Sequence, residues 1–75
     1  MKKTTWNTYA TYGFTHAVAQ DRASQGGVHH HQVRKAGGGW QKRIVQSNGR
    51  FSASGPVTPI TDHEGEAAFA TAQNL

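Results

Sequence analysis

From Trp6 to Phe14 the chain alternates as an extended segment does. Trp6, Thr8, Ala10, Tyr12 and Phe14 share one face, and Asn7, Tyr9, Thr11 and Gly13 share the other. Aromatic and β-branched content supports a strand. The pattern changes at Thr15. Residues 15–25 lose the alternation and hold helix formers, with Thr15 placed to cap the start and Gly26-Gly27 to stop it. A short helix carrying Val18 on its apolar side is expected there. Val28 to Lys35 reads as extended, and Ala36-Gly37-Gly38-Gly39 as a turn. Trp40 to Ser47 is the clearest strand, with Trp40, Ile44 and Val45 as its apolar residues. Arg50 to Ser54 follows as a further strand, and Gly55-Pro56 breaks it. Val57 to Ile60 reads as a short edge piece, since Pro59 cannot donate to a central ladder. Thr61-Asp62-His63-Glu64 has the spacing of a capping box, and Ala68, Phe69 and Ala72 form an apolar stripe behind it.

These elements predict an α+β fold in the order β-α-β-β-β-α. It is a small antiparallel sheet of three to five strands, with one or two short helices packed on one face. Residues 1–75 are expected to form one domain, with residues 1–5 as a flexible N-terminus.

Asn48-Gly49 is a strong short-range hairpin signal, because both central residues of a two-residue type I′ turn need positive φ. A two-residue loop pairs Ser47 with Arg50, Gln46 with Phe51, Val45 with Ser52, Ile44 with Ala53 and Arg43 with Ser54. Directly paired residues share a face. Trp40, Lys42, Ile44, Gln46, Phe51 and Ala53 then face the core, to be covered by Val18, Phe69 and Ala72. Gln41, Arg43, Val45, Ser47, Arg50, Ser52 and Ser54 lie on the opposite, open face. If Lys35 pairs with Trp40, Val33 and His31 join the core face, and Arg34, Gln32 and His30 join the open one. Arg34, Arg43 and Arg50 would then project from three adjacent strands.

Charge sharpens this picture. Eight Lys/Arg oppose four Asp/Glu, and three of the acids (Asp62, Glu64, Glu66) fall in the first turn of the C-terminal helix. There the helix dipole favours them, which accounts for the cluster structurally. The remainder is a basic body with Asp21 alone, suited to an anionic partner. The absence of cysteine excludes disulfides, thiolate metal sites and cysteine nucleophiles. Met1-Lys2-Lys3 leads into a polar stretch and no apolar run is long enough to span a membrane, so a soluble, cytoplasmic protein is expected.

Enzymatic chemistry finds few players. No serine sits in a G-x-S-x-G elbow, the acids are committed to a helix start, and a chain this short has little room for a deep pocket. His29 and His31 point the same way in a strand, but a third ligand would have to come from His16 or His63 elsewhere in the chain and no standard zinc spacing is present, so no metal or other cofactor is expected. Gly37-Gly38-Gly39 lacks the ending of a phosphate loop. Binding is the remaining role, and Arg34, Arg43, Arg50, His30 and Tyr9 are the candidate binding residues. Trp6, Tyr9, Tyr12 and Trp40 offer stacking surfaces. Tyr9, between Asn7 and Thr11 in the alternation, is the best exposed candidate, since most of the other aromatics are needed for the core.

The stretch from Gly39 to Arg50, followed by a strand, a break and a helix, resembles small β-β-α modules of short bacterial and bacteriophage proteins. Lone basic domains of this kind also resemble phage-encoded modulators of host defence, including anti-CRISPR proteins. That resemblance implies stoichiometric occlusion of a nucleic-acid site or an acidic protein surface. The expected function is therefore a non-enzymatic module that binds nucleic acid or a nucleoprotein complex through its arginine-bearing face. One alternative is an inhibitor of a host defence complex. A second is a small subunit that completes its core by self-association, with a homodimer as the simplest form.

Overall fold

A computed structural model describes residues 2–13, 27–47 and 52–75. Its elements are β1 (Asn7–Gly13), β2 (Val28–Ala36), β3 (Gly39–Ser47), β4 (Ser52–Ser54), β5 (Thr58–Ile60) and α1 (Asp62–Gln73). The strands form one antiparallel sheet in the order β1-β2-β3-β4, and β5 also pairs with β3. Mixed α+β with a small sheet is thus the architecture. The helix expected over Thr15–Gln25, with Val18, lies outside the described residues.

The β2–β3 hairpin follows from its turn. Gly37 and Gly38 both have positive φ, 59° and 83°. That is what a two-residue type I′ connection requires and what glycine adopts at little cost. It sets Lys35 opposite Trp40, and the register runs without a break to Val28 opposite Ser47.

The β3–β4 register departs from the two-residue reading of Asn48-Gly49. Ser47 pairs with Ser52, Gln46 with Ala53 and Val45 with Ser54, which leaves residues 48–51 between the strands. The Gly55 amide donates to the Ile44 carbonyl at 2.8 Å and anchors the end of β4. The shift is two residues, so side chains keep their faces: Ser52 and Ser54 remain on the open side. β5 takes the other end of β3, with Pro59 opposite Gln41 on an edge where its missing N–H costs nothing.

β1 carries a further correction. Its pairing with β2 slips between Thr8 and Ala10, leaving Tyr9 as a bulged residue. An extra residue inverts the alternation. Asn7 therefore lies opposite Val33 on the core side, where it is buried. Its Nδ2 donates to the carbonyls of Lys2 at 2.9 Å and Thr5 at 2.8 Å. Trp6, next to Asn7, turns to the open face, where both Arg34 and Arg43 meet its ring. Residues 2–5 make a further contact with the sheet: besides those two bonds, the Lys35 amide donates to the Lys3 carbonyl at 2.7 Å.

α1 begins as its sequence dictates. Thr61 Oγ1 accepts from the Glu64 amide at 3.1 Å and lies 3.1 Å from the Glu64 carboxylate, to which it donates. Gly65, Phe69 and Ala72 are its buried positions, and Ala68 packs beside them. They close over Val33 and Trp40, with Tyr9 and Ile60 at the margin. Twelve helical residues span ~18 Å, whereas a nine-residue strand runs ~30 Å, so α1 covers only part of the sheet. Ile44, expected in the core, lies on the covered side but four positions beyond Trp40, and remains 39% exposed. Phe51 lies outside the described residues.

Candidate functional site

The open face of the sheet is organised in cross-strand rows. Thr8, Gln32 and Arg43 are directly paired across β1, β2 and β3. Their side chains follow the same path: Gln32 Nε2 donates to Thr8 Oγ1 at 3.1 Å, and Arg43 Nε donates to Gln32 Oε1 at 2.8 Å. Arg34 and Gln41, also directly paired, form the next row, with Arg34 Nε donating to Gln41 Oε1 at 3.0 Å. Each arginine is thus tied by the Nε edge of its fork to a neutral amide oxygen.

Trp6 joins the two rows. The guanidinium carbon of Arg34 is 4.6 Å from the indole centroid and that of Arg43 is 4.4 Å away. A guanidinium at this range is attracted by the ring quadrupole, by about 0.5–1 kcal/mol at an exposed site. Two like charges share one ring here, and the ring offsets part of their mutual repulsion. Among the described residues no carboxylate pairs with either arginine. The described acids Asp62, Glu64 and Glu66 belong to α1, on the other side of the sheet.

His30 lies further along the same face, with Nε2 3.3 Å from Ser47 Oγ. The structure therefore brings Arg34, Arg43 and His30 onto one surface, as the pairing predicts. Arg50 lies outside the described residues. Tyr9 is corrected: it is half-buried on the α1 side, packed against the core, and is not an exposed stacking ring of the open face. Burial raises its pKa, helped by Tyr12 and Glu64. Trp6 is legible in the sequence only as one of four aromatics that offer a stacking surface; that two arginines meet on it depends on the register of β1 and β2.

The other side of the sheet has a different character. A groove between α1 and the sheet is lined by Tyr9, Lys42, Ile60, His63 and Glu64 among others, with both signs of charge. His29 and His31 also face this way, and the edges of Tyr9 and Tyr12 meet the His31 ring at centroid distances of 6.2 and 5.0 Å. Among the described residues no three His, Asp or Glu side chains converge as metal ligands, and no helix is long and apolar enough to cross a membrane. Burial lowers the His31 pKa, and the neighbouring positive charges of His29 and Lys42 lower it further.

That shift has a stability consequence. The unfolded chain takes a proton at His31 near the usual value of about 6.5, while the folded chain resists it. The unfolded state then binds more protons just below that pH. Stability is fully present above it, falls as pH drops towards the folded pKa, and levels off beyond. The melting temperature is expected to decline on mild acidification, and His31→Gln should shallow the decline. An unchanged slope in that variant would assign the effect to other groups.

No protein-family model, curated protein or solved structure matches this chain. The functional reading rests on the site itself.

Proposed function

We propose that the protein is a small basic module that binds nucleic acid, free or within a nucleoprotein complex, through the face carrying Trp6, Arg34 and Arg43. One observation supports this above the others: two guanidiniums are fixed by neutral partners and by a single indole, and no carboxylate among the described residues neutralises them. Ordinary surface arginines pair with acids or wave in solvent. These two have their conformational freedom already restricted, so binding costs less ordering entropy. The serines of β3 and β4 on the same face add hydrogen-bonding groups. A net charge of +4 supports attraction from a distance.

Fluorescence anisotropy with labelled single-stranded DNA, duplex DNA and RNA tests this. Binding at low salt should weaken linearly in log K against log salt, because neutralised phosphates release counterions. Failure to bind any of the three at low salt removes the reading. Binding that ignores salt points to an apolar contact elsewhere and removes this face as the site.

A further inference from the structure

We propose that this face takes the phosphate backbone of a nucleic-acid strand and not its bases, with Trp6 acting as a positioning residue for the two arginines. The inference rests on the nucleic-acid reading above and narrows it.

The charged hydrogen-bonding capacity left on the face is one-sided. Reading the edge of adenine or cytosine needs acceptors, whereas donors alone can meet guanine. The amide oxygens of Gln32 and Gln41 are the natural acceptors, and each already accepts from an arginine Nε. The Gln32 amide nitrogen is also engaged, with Thr8. What remains outward and charged is a set of donors, the Nη groups of Arg34 and Arg43, with the Gln41 amide nitrogen beside them; the Ser47, Ser52 and Ser54 hydroxyls and the His30 ring can donate or accept. With the Nε edge occupied, each fork presents its Nη pair, which matches two phosphate oxygens bidentately. Donors that carry charge, on a face without carboxylates among the described residues, select an anion.

Stacking is similarly committed. Single-strand binders lay successive bases on several exposed rings. Here Tyr9, Tyr12 and Trp40 all belong to the α1 side of the sheet. Trp6 is the aromatic on the described open face, and both guanidiniums already rest on it. Its contribution is to hold two cationic forks side by side. Removing it frees both arginines at once, although it touches no phosphate itself.

The test compares the wild-type protein on oligonucleotides of equal length: thymine-only, adenine-only, cytosine-only, alternating guanine–thymine and fully abasic strands. The expected result is similar affinity for all five, and a marked preference for the guanine-containing strand would show the forks reading a base edge and overturn the proposal. A stacked base contributes enough that its loss weakens binding about five-fold or more, so abasic binding weaker by that factor overturns the proposal. Binding to none of the strands removes the parent reading and the proposal together, which is a distinct outcome. Trp6→Leu should weaken binding to natural and abasic strands equally, and Trp6→Phe should restore most of it on both. A Trp6→Leu loss confined to the natural strands would show the indole stacking on bases and overturn the positioning role. Thermal melts of both variants show whether either loss reflects unfolding; the wild-type comparison decides the question regardless.

Discussion

Gly65→Ala is expected to destabilise the protein severely, although alanine is the better helix former. A Cβ at this position would sit 2.0 Å from Trp40 Cγ and 2.4 Å from Trp40 Cβ and Cδ2. Carbon atoms do not approach one another that closely without a bond. The atoms met lie at the root of the Trp40 side chain, so a rotamer change cannot clear them, and either α1 or β3 must shift. Trp40 is 1% exposed and its ring lies against Phe69, with centroids 5.8 Å apart. Its Nε1 is buried with no hydrogen-bond partner, so the ring is held by packing and by the Lys35 ammonium, 5.4 Å from its centroid. Overpacking of this kind costs about 1–3 kcal/mol and occasionally more, against about 1 kcal/mol gained in helix propensity. Here the clash lies at the centre of a core made chiefly of Val33, Trp40, Phe69 and Ala72, with no slack to absorb it. The expected net loss is at the upper end of that range, a large share of a small domain's stability. Trp40→Ala should cost about 3–5 kcal/mol by the opposite route, leaving a void. The two changes together should be less than additive, because the alanine methyl enters the space the ring vacates. Urea unfolding of the four proteins measures this. A Gly65→Ala variant as stable as wild type, or more so, would show that α1 does not approach Trp40 this closely.

Gly65 also shows where the sequence carried more than the pattern revealed. A glycine inside an otherwise good helix costs stability and asks for a packing reason. The stripe Ala68, Phe69, Ala72 extends back by one turn to Gly65, and the large residue facing it had to come from the sheet. The β2–β3 hairpin was legible as a glycine turn between two extended runs, and Lys35 against Trp40 was the register to try because a slip of one residue would expose Val33 and bury Arg34. From it followed the faces of nine consecutive pairs, including the placement of Arg34 and Arg43 together. Asn48-Gly49 misled because a local turn preference is weak beside the longer-range anchors at Gly55 and β5, which compete for the same edge of β3. A shift of two residues leaves the hydrophobic pattern intact, so nothing in the alternation could reveal it. Tyr9 changed sides for a related reason. Period-two reading assumes an unbroken ladder, and the bulge at Tyr9 is set by pairing with β2 and by burial of Asn7, neither of which is local to β1. The rows linking Thr8, Gln32 and Arg43 needed three strands in register before they could be seen.

Replacing Arg34 and Arg43 is expected to abolish measurable nucleic-acid binding while leaving the fold intact. Each side chain is half-exposed, and each makes one bond to a glutamine and one contact with Trp6. Their removal leaves the Gln32 and Gln41 oxygens able to turn to water, so stability should change by less than about 1 kcal/mol for either single alanine. Affinity should respond far more. A charge-assisted bond to phosphate contributes about 1.5–3 kcal/mol, so each single variant is expected to bind at least about ten-fold more weakly. Each should also lower the salt slope by about one for every phosphate it no longer neutralises. Arg34→Lys and Arg43→Lys separate charge from geometry. Lysine keeps the positive charge, but loses the Nε bond to glutamine and the flat stack on the indole. The lysine variants should therefore keep most of the salt slope and still lose affinity, falling between wild type and alanine. Lys42 supplies the control, since it carries the same charge on the α1 side of the sheet. Lys42→Ala should weaken binding only slightly, as a general loss of attraction. If Lys42→Ala weakens binding as much as Arg34→Ala, net charge and not this face governs the interaction. If the double arginine variant binds as wild type does, the face is not the site, and the His29–His31 side of β2 with the groove beneath α1 becomes the surface to examine.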